Sequence, residues 1–253
     1  MSAVLKLFDK ESPRRAYKSS RKVERQYTAS LRRVARHIGD IVASISPDGS
    51  VTPEVATAID AALNRYADVI EPWSKAVASR MIAEVAARDE ATWFDVSRKM
   101  GRALRKEIAT APTGTIMRER LADQVRLITS LPREAAQRVR SLANEAIVQG
   151  TRPAELAKEI MRTGEVTESR AILIARTETS RTATELTRAR AEHVGSPGYW
   201  WRTAGDSDVR ESHRKMNGKF IAWNDPPTLD GMTGHAGQLP NCRCFCDVAL
   251  DNS

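Results

Sequence analysis

Gly195-Ser-Pro-Gly-Tyr-Trp-Trp-Arg-Thr203 divides this chain into two kinds of text. Before it, runs rich in Ala and Arg are punctuated by isolated prolines and glycines. It holds an aromatic pair itself, and after it come turn residues and all three cysteines, Cys242, Cys244 and Cys246. Two glycines and a proline within four residues stop a helix, because glycine opens backbone conformations outside the helical region and proline removes a donor. Tyr199 to Thr203 then reads as a strand, aromatic and bounded by turn signals. The expected fold class is mainly α, an extended helical N-terminal body followed by a small α+β C-terminal module.

Upstream, Ser12-Pro13 opens a basic helix that runs to about Ala43, where Ser46-Pro-Asp-Gly49 ends it. Thr52 is an N-cap with Pro53 at the first helical position, where its missing N–H costs nothing. Val55, Ile59, Leu63, Tyr66 and Ile70 then step by three and four along one apolar stripe. Pro72 kinks or restarts that helix, which continues through Trp73, Val77, Met81 and Val85. Further helices are expected near 89–109, 115–130, 132–149, 153–162 and 167–194, with Pro132 and Pro153 at starts and Gly150 and Gly164 at stops. The stripes over 52–88 and 115–149 are narrow and rich in Ala, which suggests faces, Leu63 among them, that dock on a larger partner. The division expected is 1–50, a basic helical arm; 51–150, a helical body; and 151–253, a long helix with the α+β module.

Within that module the pattern predicts a short helix from Asp208 to Met216, a second strand from Lys219 to Trp223, a Pro/Gly-rich loop over 224–240 and a last strand from Arg243 to Leu250. So few apolar side chains make a thin core, which a structural metal would staple. Cys242 and Cys244 are suited to hold one. In an extended segment residues two apart face the same side, and zinc prefers sulfur and nitrogen donors in a tetrahedron. A disulfide between them would be strained. The bland alternative leaves the cysteines free in the core.

Chemistry of other kinds leaves weaker traces. Asp206, Asp208, Glu211 and His213 have the composition of a metal-dependent nuclease site, with Mg²⁺ on the carboxylates and a His base. The same acids are accounted for if Asp206 or Ser207 caps a helix whose positive end attracts negative charge. No Gly-rich phosphate loop, nucleophile elbow or paired-carboxylate hydrolase site is present. The chain of 253 residues carries a net charge of +8. Residues 1–40 hold eleven Lys or Arg against four Asp or Glu, so Arg14, Arg15, Lys18, Arg21, Lys22 and Arg25 are candidate contacts to DNA phosphate, or else a solvated helix face. No stretch is long and apolar enough to cross a membrane. Met1 to Lys10 lacks the form of a signal peptide, so synthesis in the cytoplasm with reduced thiols is expected.

Trp200-Trp201, then Asp206-x-x-x-Arg210-x-x-His213, Asn217-Gly-Lys219 and Asn241-Cys-Arg-Cys244 form an ordered set. Together they resemble the phage Mu protein F-like head-morphogenesis family over roughly residues 150 to 250. Ile174-Ala-Arg-Thr-Glu-Thr-Ser180 fits the helix that precedes the set in that family. The resemblance implies a non-enzymatic minor capsid protein of a tailed bacteriophage. It would be made in the host cytoplasm and lie in the virion, inside the capsid at the portal vertex. Its partners would be the portal protein, packaged double-stranded DNA and major capsid or scaffold protein, with no membrane. It also marks Arg176, Glu178, Trp200, Trp201, Asp206, Arg210 and Asn241 as a structural motif. Arg176 and Glu178 are expected to form a buried polar bridge to the Trp200-Trp201 strand, with the guanidinium on an indole. Many relatives place a Cys-x-x-Cys pair where this chain has Arg210 and His213, and a His where it has Leu239. By that position His213 is the third Zn²⁺ donor beside Cys242 and Cys244. The fourth is Cys246, His235 or Asp208, with His235 favoured because three ligands on one strand would demand a bend at Phe245.

Overall fold

The computed structural model describes residues 4–6, 12–47, 52–100, 109–149 and 151–251; the side chains of 4–6, 12–20, 96–100, 147, 153 and 251 lie outside the described set. Among the described residues the order is β1 (Val4–Lys6), α1 (Ser12–Ile45), α2 (Pro53–Val69), α3 (Glu71–Met100), α4 (Thr113–Gln149), α5 (Pro153–Met161) and α6 (Thr163–His193). Then follow β2 (Gly198–Arg202), α7 (Glu211–Arg214), β3 (Phe220–Ala222), β4 (Thr228–Leu229), β5 (Met232–Thr233) and β6 (Phe245–Asp251). The fold is mainly helical with a small α+β module after Gly198, as the sequence predicts. Among the described residues, no helix is long and apolar enough to cross a membrane.

Helix α1 is built into the fold along one face. Val23, Tyr27, Leu31, Val34, Ile38 and Val42 step by three and four and are buried, while Arg21, Lys22, Arg25, Arg32, Arg33 and Arg36 point to solvent. These described basic residues therefore form the wet side of a core helix. In α2 the Thr52 side chain accepts from the Val55 N–H, and Pro53 takes the first turn. Ala56, Ile59, Leu63 and Ala67 form its buried stripe. Leu63 is fully buried, which corrects the reading of that stripe as a docking face: it is core.

Two expected helix boundaries dissolve. Nothing in Ala83–Thr92 breaks a helix, so α3 runs from Glu71 to Met100 without a restart near 89. Pro132 lies inside α4 rather than at a start. An interior proline removes one hydrogen bond and costs about 3 kcal/mol; burial of Ile128, Leu131, Ala135, Ala136 and Val139 around it offsets that cost.

Two compact units gather distant segments, one from residues 1–25, 79–121 and 176–253, the other from 26–78 and 122–175. The second unit is all helical; Tyr27 Oη donates to Gln124 Oε1 at 2.9 Å and the His37 and Tyr66 rings meet edge-on at 4.6 Å. In the first unit four antiparallel strands lie in the order β1-β6-β2-β3. Opposed residues share a face, so Tyr199↔Val248 and Trp201↔Cys246 look one way and Trp200↔Asp247 the other. Trp201 is fully buried, whereas Trp200 stacks edge-on against the half-exposed Phe220 at 5.8 Å. The inward face makes one core with Trp93 of α3 and Ala191 of α6. That indole and the helix behind it thicken a core that the strands alone would leave thin.

Two elements escape the sequence reading. The Pro/Gly-rich segment contains the β4–β5 hairpin, turned by Asp230-Gly231, both at positive φ (53° and 79°); Asp-Gly is a strong hairpin turn signal. Val4–Lys6 pairs with Ala249–Asp251, a three-residue edge strand with too little text to announce itself. The last strand also begins later than expected, at Phe245, which leaves the Cys242–Cys244 segment as irregular backbone.

Candidate metal centre

One face of α6 holds the loop that carries the cysteines. Thr184 Oγ1 donates to the Ala236 carbonyl at 2.6 Å. Arg181 donates to the Gln238 carbonyl at 3.0 and 3.3 Å. Thr177 Oγ1 accepts from the Asn241 N–H at 2.9 Å, and Arg176 donates to Asn241 Oδ1 at 2.9 Å. Residues 177, 181 and 184 recur at helical spacing; Arg176 and Thr177 belong to the Ile174–Ser180 segment that the motif resemblance singled out, and Arg181 and Thr184 continue its helix. Asn241 adopts φ of 59°, a left-handed conformation that Asn tolerates better than most residues. Buried Glu178 orients the brace through Arg181, at 2.8 Å.

Arg176 is thus committed to Asn241 and Glu24, the latter at 3.2 Å, and not to an indole. The polar bridge exists, but it ties α6 to the Cys loop rather than to the Trp200-Trp201 strand. A second clamp comes from the other side, where Arg210 donates to the Pro240 carbonyl at 2.7 Å.

Held in this way, Cys242 and Cys244 meet His213 of α7. The three donor atoms lie within 4.8 Å of one another, all buried. His213 Nδ1 is 3.4 Å from Cys242 Sγ and 3.6 Å from Cys244 Sγ. Zinc–sulfur bonds of about 2.3 Å and zinc–nitrogen bonds of about 2.0–2.1 Å at tetrahedral angles place S and N about 3.6 Å apart, so the donor set fits such an ion. Hydrogen bonds from the Cys244 thiol and from His213, with the backbone N–H groups of Cys244 and Gly237, hold the Cys242 thiol well below its ordinary range. Cys244 is pushed up by the neighbouring Cys242 sulfur and by burial. A sulfur that gathers several N–H donors is a thiolate in waiting, the form that binds a metal. The His213 ring packs edge-on against Trp201 at 5.5 Å.

The other candidate donors lie outside this three-atom group. His235 is buried, with Nδ1 at 3.2 Å from Tyr199 Oη, and does not belong to the three-atom group. Burial lowers its pKa, which keeps the ring neutral against Tyr199 and Trp223. Cys246 is buried at the foot of β6, its thiol raised by that burial and directed at the Ala236 carbonyl at 3.8 Å. Asp206 and Asp208 both take Arg243, at 2.9 and 3.0 Å. This corrects the capping account: α7 is preceded by Arg210, which makes no side-chain cap, and the two carboxylates serve the Arg of Cys-Arg-Cys. The same pairing leaves no observation in favour of a Mg²⁺ ion on those acids. Of the candidate DNA contacts, Arg21, Lys22 and Arg25 are exposed; the side chains of Arg14, Arg15 and Lys18 lie outside the described residues.

Gly237 fixes the loop where it approaches α6. At φ of 89°, an added Cβ would lie 2.5 Å from Thr184 Oγ1 and 3.0 Å from the Cys244 carbonyl oxygen. Gly237→Ala is expected to destabilise the protein by about 2 kcal/mol or more, from the strained φ and the clash together. A thermal melt beside the unsubstituted chain measures it; an unchanged melt would mean the loop is not held as described.

Residues 137–246 match the family of phage Mu protein F-like proteins. The motif resemblance is thereby shown over a segment that includes the α6 face, His213 and all three cysteines. A protein of Haemophilus influenzae described as uncharacterized is 36% identical over 132 residues, covering 52% of this chain and 29% of its own length. An Enterococcus faecalis protein named NAD(+)--arginine ADP-ribosyltransferase EFV is 30% identical over 129 residues, covering 47% of this chain and 26% of its own. The chain thus spans less than a third of either relative, and the named activity belongs to that relative. No solved structure matches the chain.

Proposed function

We propose that this chain is a minor head protein of a tailed bacteriophage, working inside the capsid at the portal vertex, with a zinc ion stapling its Mu F-like segment. The observation that supports this is a coincidence of family and geometry. The segment that matches the family is the one in which Arg176, Glu178, Arg210 and Asn241 act as scaffolding around a buried sulfur–imidazole cluster. Such residues build a rigid module rather than a catalytic cleft. The zinc is held by His213, Cys242 and Cys244, the three donors of the buried cluster. It closes the loop onto α7, as structural sites do. The partners are the portal protein, the packaged double-stranded DNA, and major capsid or scaffold protein.

Quantitative mass spectrometry and imaging of purified heads test the placement. Far fewer copies than the major capsid protein, with density inside the shell at the portal, are expected; absence from heads, or density on the outer surface, would overturn it. The DNA contact is tested on the wet face of α1. Because its other face is core, substitution and not deletion is required. Arg21→Gln, Lys22→Gln and Arg25→Gln together are expected to flatten the salt dependence of DNA binding by about 0.9 in log–log slope for each phosphate that is no longer neutralised. An unchanged slope would give that face another partner.

A further inference from the structure

We propose that Arg243, with Asp206 and Asp208, is the positioning device of the metal centre, setting how tightly the ion is held; this rests on the metal reading above. Arg243 lies between the two cysteines in sequence, and its side chain is 6% exposed. Its Nη2 donates to Asp206 Oδ1 at 2.9 Å and to Asp208 Oδ2 at 3.0 Å. Those carboxylates stand on the turn that leads into α7, the helix carrying His213. The ion pair therefore joins the segment that supplies two sulfurs to the segment that supplies the nitrogen. Arg210 repeats the connection through the Pro240 carbonyl. These ties bring the donors together before an ion arrives.

The charges point the same way. Two thiolates and a neutral imidazole bring a divalent ion to zero net charge. The guanidinium of Arg243 sits one residue from each sulfur, and its two carboxylates keep that buried positive charge from opposing the ion. Groups that orient metal ligands in other proteins change affinity by about 10–100-fold when removed.

The test uses the full chain and Co²⁺, whose absorption reports thiolate ligation, with a competing chelator to give the dissociation constant. Asp206→Asn with Asp208→Asn is expected to bind Co²⁺ with the same spectrum and about 10–100-fold weaker. Asp208 is 68% exposed, so Asp208→Asn alone keeps the fold and should weaken binding by a smaller factor. Asp208→Glu, which restores the charge, should return the affinity toward that of the unsubstituted chain. Variants that melt earlier yet bind Co²⁺ as tightly as the unsubstituted chain would make the ion pair merely structural and overturn the proposal. Failure of the unsubstituted chain to bind Co²⁺ would instead remove the metal reading on which it stands.

Discussion

Cys242→Ser is expected to abolish metal binding and to lower the melting temperature by about 10 °C or more. Structural zinc contributes on the order of 10 kcal/mol in small domains that fold around it, and in a protein of this size each kcal/mol moves the melt by roughly 2–4 °C. Only part of that energy is at stake here, because Trp93, Trp201 and Tyr199 give the first unit a core of its own. A loss of about 3–4 kcal/mol suffices for the stated shift. Cys242 is the more telling of the two cysteines because it collects the N–H donors of Cys244 and Gly237. Serine would leave those donors facing a harder and less readily ionised oxygen. Cys246→Ser should leave metal content unchanged, since that thiol faces the Ala236 carbonyl. Equal metal loss in both variants would mean that the ligands are misassigned.

The second large effect lies away from the centre, at Asp89. Its carboxylate accepts from Thr187 Oγ1 at 2.6 Å and from Arg190 Nε at 2.8 Å, and both ionic side chains are 6% exposed. Asp89→Ala would leave the Arg190 guanidinium buried without that counter-charge, at a cost of about 3–5 kcal/mol. Burial raises Asp89 from 3.8 to about 6, although Thr187 and Arg190 pull the other way. Between those values the folded chain holds a proton that the unfolded chain has lost. Stability therefore falls as pH rises through about 4 to 6, by on the order of 3 kcal/mol from this group, and levels above it. Asp89→Asn should erase that slope. Chemical denaturation at about pH 4.5, 5.5 and 7 spans this window and reads both effects. An Asn variant with an undiminished slope would assign the titration to another group.

What the sequence could disclose followed from distance along the chain. The Thr52 cap and the apolar steps of α2 are local patterns, and each appears where the spacing puts it. The alternation at Trp200 and Trp201 is local too, and sends one indole to the core and the other to the Phe220 face. Boundaries failed where packing overrode a breaker, as at Pro132, or where no breaker existed, as near residue 89. The partners of Arg243 are 35 and 37 residues away, and Tyr199 meets His235 across 36. Nothing in the spacing announces either pairing, so Asp206 looked like a cap. The α6 face that grips the Cys loop was legible as a motif but not as a contact, because two of its acceptors, on Ala236 and Gln238, are backbone carbonyls that any residue could provide.

Native mass spectrometry of the full chain, purified without added metal or chelator, reads the centre directly. One zinc per chain is expected, lost together with a cooperative fall in melting temperature when chelator is added. A metal-free chain whose melt is indifferent to chelator and to added zinc would contradict it, and would leave His213, Cys242 and Cys244 as a hydrogen-bonded cluster in an ordinary core.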